Sequence, residues 1–249
     1  MQRVQDMEIT SLHLTSDSCE DTKAIATLLY NLPHVKDIAW GLSEAASIRQ
    51  DHPMVTLRSR SITWLRITLS SEVNQFRLDM PNLTCLTFYS SSFGRRSMAC
   101  STELFESLVT CCPCLNQLSC DLEGFGNFPF NQLIRFANLT AINLAGGGKI
   151  QEPIETIFPR NITELCLGRV EFDVNGMPAL LSTLTNLYSL MLGGNPGLSS
   201  IEGWFSKSVR FLNLNNLSLC ALPLSSHFPS LCEVTSFSKI TLHQNTNTA

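Results

Sequence analysis

The stretch Leu187-Tyr188-Ser189-Leu190-Met191-Leu192-Gly193-Gly194-Asn195 decides how the rest of the chain is read. Its aliphatic residues Leu187, Leu190 and Leu192 are spaced apolar-x-x-apolar-x-apolar, and Asn195 follows three residues later. Leu190 and Leu192 alternate with residues that must point the other way, as a short strand with one buried face requires. Leu187 turns inward on the approach to that strand. The same spacing returns outward in both directions. Toward the N-terminus it recurs at Ile162, Leu165 and Leu167; at Leu139, Ile142 and Leu144; and at Leu115, Leu118 and Cys120. It continues at Leu83, Leu86 and Phe88; at Ile62, Leu65 and Ile67; at Val35, Ile38 and Trp40; and at Ile9, Leu12 and Leu14. Toward the C-terminus it recurs at Val209, Leu212 and Leu214, and a degenerate tenth unit begins at Leu231 and Val234.

The first positions of the nine clear units run from residue 9 to residue 209, so eight steps cover 200 residues at a mean of 25. That period lies in the range of leucine-rich repeats. One such unit cannot bury its apolar face alone, so stacked neighbours must bury it for one another. The fold expected is therefore α/β, a leucine-rich-repeat solenoid. It should be a horseshoe with a parallel β-sheet on the concave face and irregular helical or loop returns on the convex face. Residues 1–243 are expected to form an array of nine to ten irregular repeats, and 244–249 a disordered tail. Individual steps range from 21 to 32 residues, which makes the returns unequal. Cys19–Asn31, Ser101–Val109 and Gly176–Leu184 carry apolar residues at helical spacing, and Asp17 with Glu20 gives a loose capping box. Pro33, Pro81, Pro113 and Pro159 each stand shortly before a strand, where a helix should have ended. Only the quoted unit keeps the Asn that bonds the turn. Other units carry Ser43, Ser70, Ser91, Glu123, Gly147 or Val170 there.

The 249 residues hold 17 basic and 21 acidic side chains, a net charge of -4. Neither the basic footprint of a nucleic-acid binder nor a polybasic membrane tether is present. No run approaches the length of a spanning helix, and the first residues lack the apolar centre of a signal peptide. The expectation is a cytoplasmic chain, with the nucleus as a second location, in a reducing compartment. The ten cysteines are spread along the chain and read as free, mostly buried thiols. Cys111-Cys112-Pro113-Cys114 with Cys120 lacks the paired spacing or nearby histidines of a zinc site. Four N-x-[ST] sequons occur, at Asn82, Asn138, Asn161 and Asn216, three of them at one point of the repeat. Neither end carries a polar cap, so the chain reads as a piece of a larger array.

Chemistry-bearing motifs are not found. Gly146-Gly147-Gly148-Lys149 is followed by Ile150 and lacks the earlier glycine of a P-loop, so it reads as a flexible turn. The five histidines stand apart, and Cys114 or Ser119 has no evident base. The chain is expected to be no enzyme, with no catalytic, cofactor or metal residues and no cofactor. Function should instead lie on the residues that alternate with the buried pair. Trp64, Arg66 and Tyr89 stand out there, because Trp, Arg and Tyr dominate binding hot spots. Asp121, Glu164 and Phe211 occupy the same face. Two competing readings remain: Trp64 covers a neighbouring strand or caps a ragged edge, and Phe211 is covered by a lost downstream repeat.

Phe158-Pro-Arg-Asn-Ile-Thr-Glu-Leu-Cys-Leu167 and Met177-Pro-Ala-Leu-Leu-Ser-Thr-Leu-Thr-Asn-Leu-Tyr-Ser-Leu-Met-Leu192 together resemble the C-terminal repeats of plant nucleotide-binding leucine-rich-repeat disease-resistance proteins. The close match covers about 35 residues. The resemblance implies a sensor region in plant defence whose partner is a protein, either a pathogen effector or a host protein. It further implies an intramolecular contact with a nucleotide-binding domain, although no residue here matches that domain and no ATP or ADP site carries over. Phe76-Arg-Leu-Asp-Met-Pro-Asn-Leu-Thr-Cys-Leu86 is similar instead to the repeats of plant F-box proteins, which implies substrate selection for a ubiquitin ligase. Neither nucleic acid nor membrane is an expected partner.

Overall fold

Alternation of buried and exposed side chains produces strands at nearly every place the repeat marks. The structure, a computed structural model, describes residues 10–16, 19–42, 55–69, 76–90, 98–99, 102–122, 125–195, 198, 200–215 and 224–235. Asp17, Ile9, the 244–249 tail, Asn216 and the turn positions Ser43, Ser70, Ser91 and Glu123 lie outside them. The chain divides into two compact units, residues 1–129 and 130–249.

The first unit contains β1 (Ser11–Ser16), α1 (Cys19–Tyr30), β2 (Asp37–Leu42), β3 (Val55–Arg58), β4 (Trp64–Leu69), β5 (Phe76–Asp79) and β6 (Cys85–Ser90). It continues with β7 (Met98–Ala99), α2 (Thr102–Cys111), β8 (Gln117–Asp121) and β9 (Phe125–Asn127). Strands β1, β2, β4, β6 and β8 pair in parallel in that order. The register places Leu12, Ile38, Leu65, Leu86 and Leu118 in one row, and Leu14, Trp40, Ile67, Phe88 and Cys120 in the next. From Ile38 and Trp40 onward both rows are buried to 3% exposure or less. Val35, Ile62, Leu83 and Leu115 are buried at the approach to each strand, as the spacing requires.

Backbone bonding fixes this register at every step. The N–H groups of Thr63 and Trp64 both donate to Lys36 O, those of Thr84 and Cys85 to Thr63 O, and those of Asn116 and Gln117 to Thr84 O. A shift by one residue would break these paired bonds and turn each buried row toward solvent.

The second unit repeats the scheme with shorter returns. It contains β10 (Ala141–Ala145), β11 (Glu164–Gly168), α3 (Met177–Thr183), β12 (Ser189–Met191), β13 (Phe211–Asn213), α4 (Leu224–His227) and β14 (Glu233–Thr235). Its five strands pair in parallel in chain order. Ile142, Leu165, Leu190, Leu212 and Val234 share a row, so the degenerate tenth unit is a genuine repeat. Parallel strands at repeat spacing, stacked on rows of buried aliphatic side chains, are a leucine-rich-repeat fold.

The returns differ from step to step. A helix advances about 1.5 Å per residue and a strand about 3.3 Å, so an extended return covers the back with fewer residues. The step from Leu83 to Leu115 accommodates α2, whereas the 21-residue step from Ile62 to Leu83 holds β5. The helix expected before Pro81 is thus replaced by a strand, whose Phe76 and Leu78 are buried. Before Pro159 only a 3₁₀ turn, Ile154–Thr156, is formed. Strands β3 and β5 pair in parallel behind the main sheet, Leu57 against Leu78. The hydroxyl of Ser107 in α2 accepts a 3.2 Å hydrogen bond from the Leu78 amide. Helices expected at Cys19–Asn31, Ser101–Val109 and Gly176–Leu184 are present as α1, α2 and α3. Among the described residues no helix is long and apolar enough to cross a membrane.

Two smaller sequence features acquire structural reasons. The Asn82 side-chain amide donates to Arg60 O at 2.6 Å, and that of Asn161 to Ala137 O at 3.0 Å. Each Asn thus ties its repeat to the one before, which explains why sequon-like triplets recur at that place. The glycine run after β10 forms a turn, as its composition suggests. Gly146 (φ 97°) and Gly147 (φ 91°) adopt left-handed backbone, Gly146 N donates to Gly168 O, and Lys149 pairs with Glu171.

Candidate functional site

Because β4 and β6 are adjacent and in register, their outward side chains meet. Trp64 lies opposite Cys85, Arg66 opposite Thr87 and Thr68 opposite Tyr89. The Arg66 guanidinium carbon sits 4.7 Å from the Trp64 ring centroid and 5.5 Å from that of Tyr89. Both distances are within cation–π range. The three hot-spot residues expected from sequence are therefore one cluster, with a cation held between two rings. Tyr89 is 41% exposed, Trp64 and Arg66 are half-buried, and Arg66 Nε is sealed from solvent with no hydrogen-bond partner. Toward β2, Trp64 faces Asp37 and Arg66 faces Ala39.

Cys85 and Thr87, not singled out in the sequence, complete the patch. Cys85 stands opposite Trp64 and Thr87 opposite Arg66 in the register, with Cys85 half-buried and Thr87 buried. Trp64 thus lies beside Cys85 of the neighbouring strand and is half-buried. Desolvation is the largest influence on the Cys85 thiol and raises its pKa despite the nearby Arg66 charge.

The other expected residues do not join this cluster. Asp121 ends β8 and is half-buried. In the second unit Glu164 begins β11 and is exposed, with Ser189 between it and Phe211 along the register. Phe211 packs against Tyr188, ring centroids 4.8 Å apart, and β14 lies on its far side, with Glu233 opposite it. A following repeat thus flanks Phe211, yet its ring contact comes from the preceding one. Tyr188 went unread because it falls at the approach to β12, outside the alternating set, and 42% of it is exposed.

The thiols behave as core or resting surface groups. Burial pushes Cys112 up to about 12 and raises Cys166. Among the described residues no three His, Cys, Asp or Glu side chains are grouped to hold a metal ion. Iodoacetamide at pH 8 is expected to modify exposed Cys114 and Cys232 in the native protein and Cys112 only after denaturation, as peptide mass mapping would show. The folded thiol titrates above its ordinary value of 9.0. Its contribution to stability is therefore whole below pH 9 and declines as the pH climbs from 9 toward 12.

No family model matches the chain, and no curated protein matches it either. Among solved structures it is similar to an internalin, InlF, of Listeria monocytogenes, at 12% identity and a TM-score of 0.46, over 84% of this chain and 69% of that one. It is also similar to InlP of Listeria monocytogenes, at 14% identity and a TM-score of 0.48, over 91% of this chain. This chain spans 60% of the length of InlP.

Proposed function

We propose that this chain is a protein-binding leucine-rich-repeat module, not an enzyme, and that its partner docks on the outward face of β4 and β6 with Trp64, Arg66 and Tyr89 as anchors. The observation that carries this reading is the guanidinium held between two partly open aromatic rings on one sheet face. A desolvated cation and two rings concentrate binding energy in a small area. Thiols whose pKa is raised by burial disfavour the nucleophilic thiolate. Binders selected from a display library against the full chain are expected to lose tenfold or more in affinity to Trp64→Ala or Tyr89→Ala, about 1.4 kcal/mol or more each. Titration calorimetry measures this, and unchanged affinities for both variants would place the docking face elsewhere.

At a finer level, the module is the sensor region of a plant immune receptor. The support is the likeness of residues 158–192 to the repeats of disease-resistance proteins. The second reading, substrate selection for an F-box ubiquitin ligase, is favoured by Phe76–Leu86, which forms β5, its turn and the start of β6. Sequencing the full transcript distinguishes them. An in-frame upstream P-loop NTPase domain supports the first, and an F-box supports the second.

A further inference from the structure

Resting on the reading of this face as the docking surface, we propose that the segment it takes is acidic. An Asp or Glu side-chain carboxylate is received by Arg66, with apolar neighbours of that residue lying over Trp64 and Tyr89. The argument begins with what Arg66 lacks. Aromatic rings offer a cation their negative faces but no hydrogen-bond acceptor comparable to an oxygen, whereas a guanidinium carries five N–H donors. Arg66 Nε is buried and unpartnered, and among the described residues Arg66 forms no ion pair. Its lateral neighbours in the register are Ala39 and Thr87, which bring no negative charge. Asp37 lies one row away, opposite Trp64, and does not reach ion-pair distance of Arg66.

A half-buried cation without a counter-ion is costly to hold. Here the rings hold it in place while its charge stays uncompensated. A carboxylate supplies the missing oxygens in the fork geometry a guanidinium matches. It would be bonded by a side chain already immobilised between two rings, so little further ordering is needed. Charge complementarity therefore selects an acidic peptide over a basic or neutral one. Apolar flanking residues follow from the open ring surface on either side. A free C-terminal carboxylate shares the same chemistry, and amidated peptides separate the two sources.

The test uses the full 249-residue chain and a random peptide display library. Selected peptides are synthesised with amidated C-termini, each paired with its Asp→Asn or Glu→Gln form. Trp40 and Trp204 are each 2% exposed, so acrylamide quenching reports chiefly on Trp64, which bound peptide should shield. We expect enrichment in Asp or Glu, and a loss of tenfold or more on amide replacement. Arg66→Gln should cause a similar loss, and the amide peptide should be no worse on Arg66→Gln than on the parent. Melting curves confirm that each variant is folded. Enrichment of neutral or basic sequences, no enrichment, or additive losses in that cycle overturns the proposal. If only peptides with free C-termini bind, the side-chain assignment is also overturned. If Trp64→Ala and Tyr89→Ala weaken binding while Arg66→Gln does not, the face stands and the carboxylate is wrong. If none of the three matters, the docking face itself is wrong.

Discussion

Phe88→Ala is expected to destabilise the first unit by about 3–5 kcal/mol, the cost of truncating a fully buried aromatic side chain. Phe88 is 1% exposed and sits in the interior row between Ile67 of β4 and Cys120 of β8. The void would lie between two stacked repeats. A repeat array draws its stability from such nearest-neighbour interfaces, so the loss should be felt on both sides. Phe88→Leu, which keeps most of the volume, should cost well under half as much. Its chain neighbour supplies the control. Tyr89 points to the opposite face, and Tyr89→Ala should cost about 1 kcal/mol or less, mostly the lost contact with Arg66. Urea unfolding of the three variants measures all of this. Equal losses at 88 and 89 would contradict the register.

Asn195→Asp should be the most damaging single-atom change in the second unit. The Asn195 side-chain amide donates to Leu167 O at 2.8 Å and to Leu192 O at 2.6 Å, and the residue is 5% exposed. It therefore closes its own turn and also bonds the carbonyl of the preceding strand, whose unit carries buried Val170 at the corresponding place. Asn195→Ala leaves two buried carbonyls without donors, at about 1–2 kcal/mol each. Asn195→Asp adds acceptor–acceptor repulsion and a buried charge, so its loss should exceed that of Asn195→Ala. Melting of the two variants decides the order. If Asn195→Asp proves the milder, the side chain is not the donor assigned here.

Much of this architecture is legible in the residues themselves. Apolar spacing located the approach, the strand and the buried rows, because a parallel stack with one inward face tolerates no other pattern over so many units. Hot-spot composition on the alternating positions marked Trp64, Arg66 and Tyr89. It could not reveal that Cys85 and Thr87 belong with them, because these are unremarkable residue types. Tyr188 was illegible for a different reason: a long side chain at the approach to a strand reaches sideways to Phe211 of the next repeat, and alternation says nothing of such reach.

What the sequence determined by itself was the period, the direction of each side chain and hence the register. These follow from local physics: a period-two strand, one apolar face and a fixed step. Tertiary structure alone decided that a strand fills the step before Pro81, where β5 pairs with β3 and its Leu78 amide meets Ser107 of α2. It alone also decided that Arg66 lies between two rings. The contact with Trp64 lies within β4, but the contact with Tyr89 joins two strands and exists only after β4 and β6 pair.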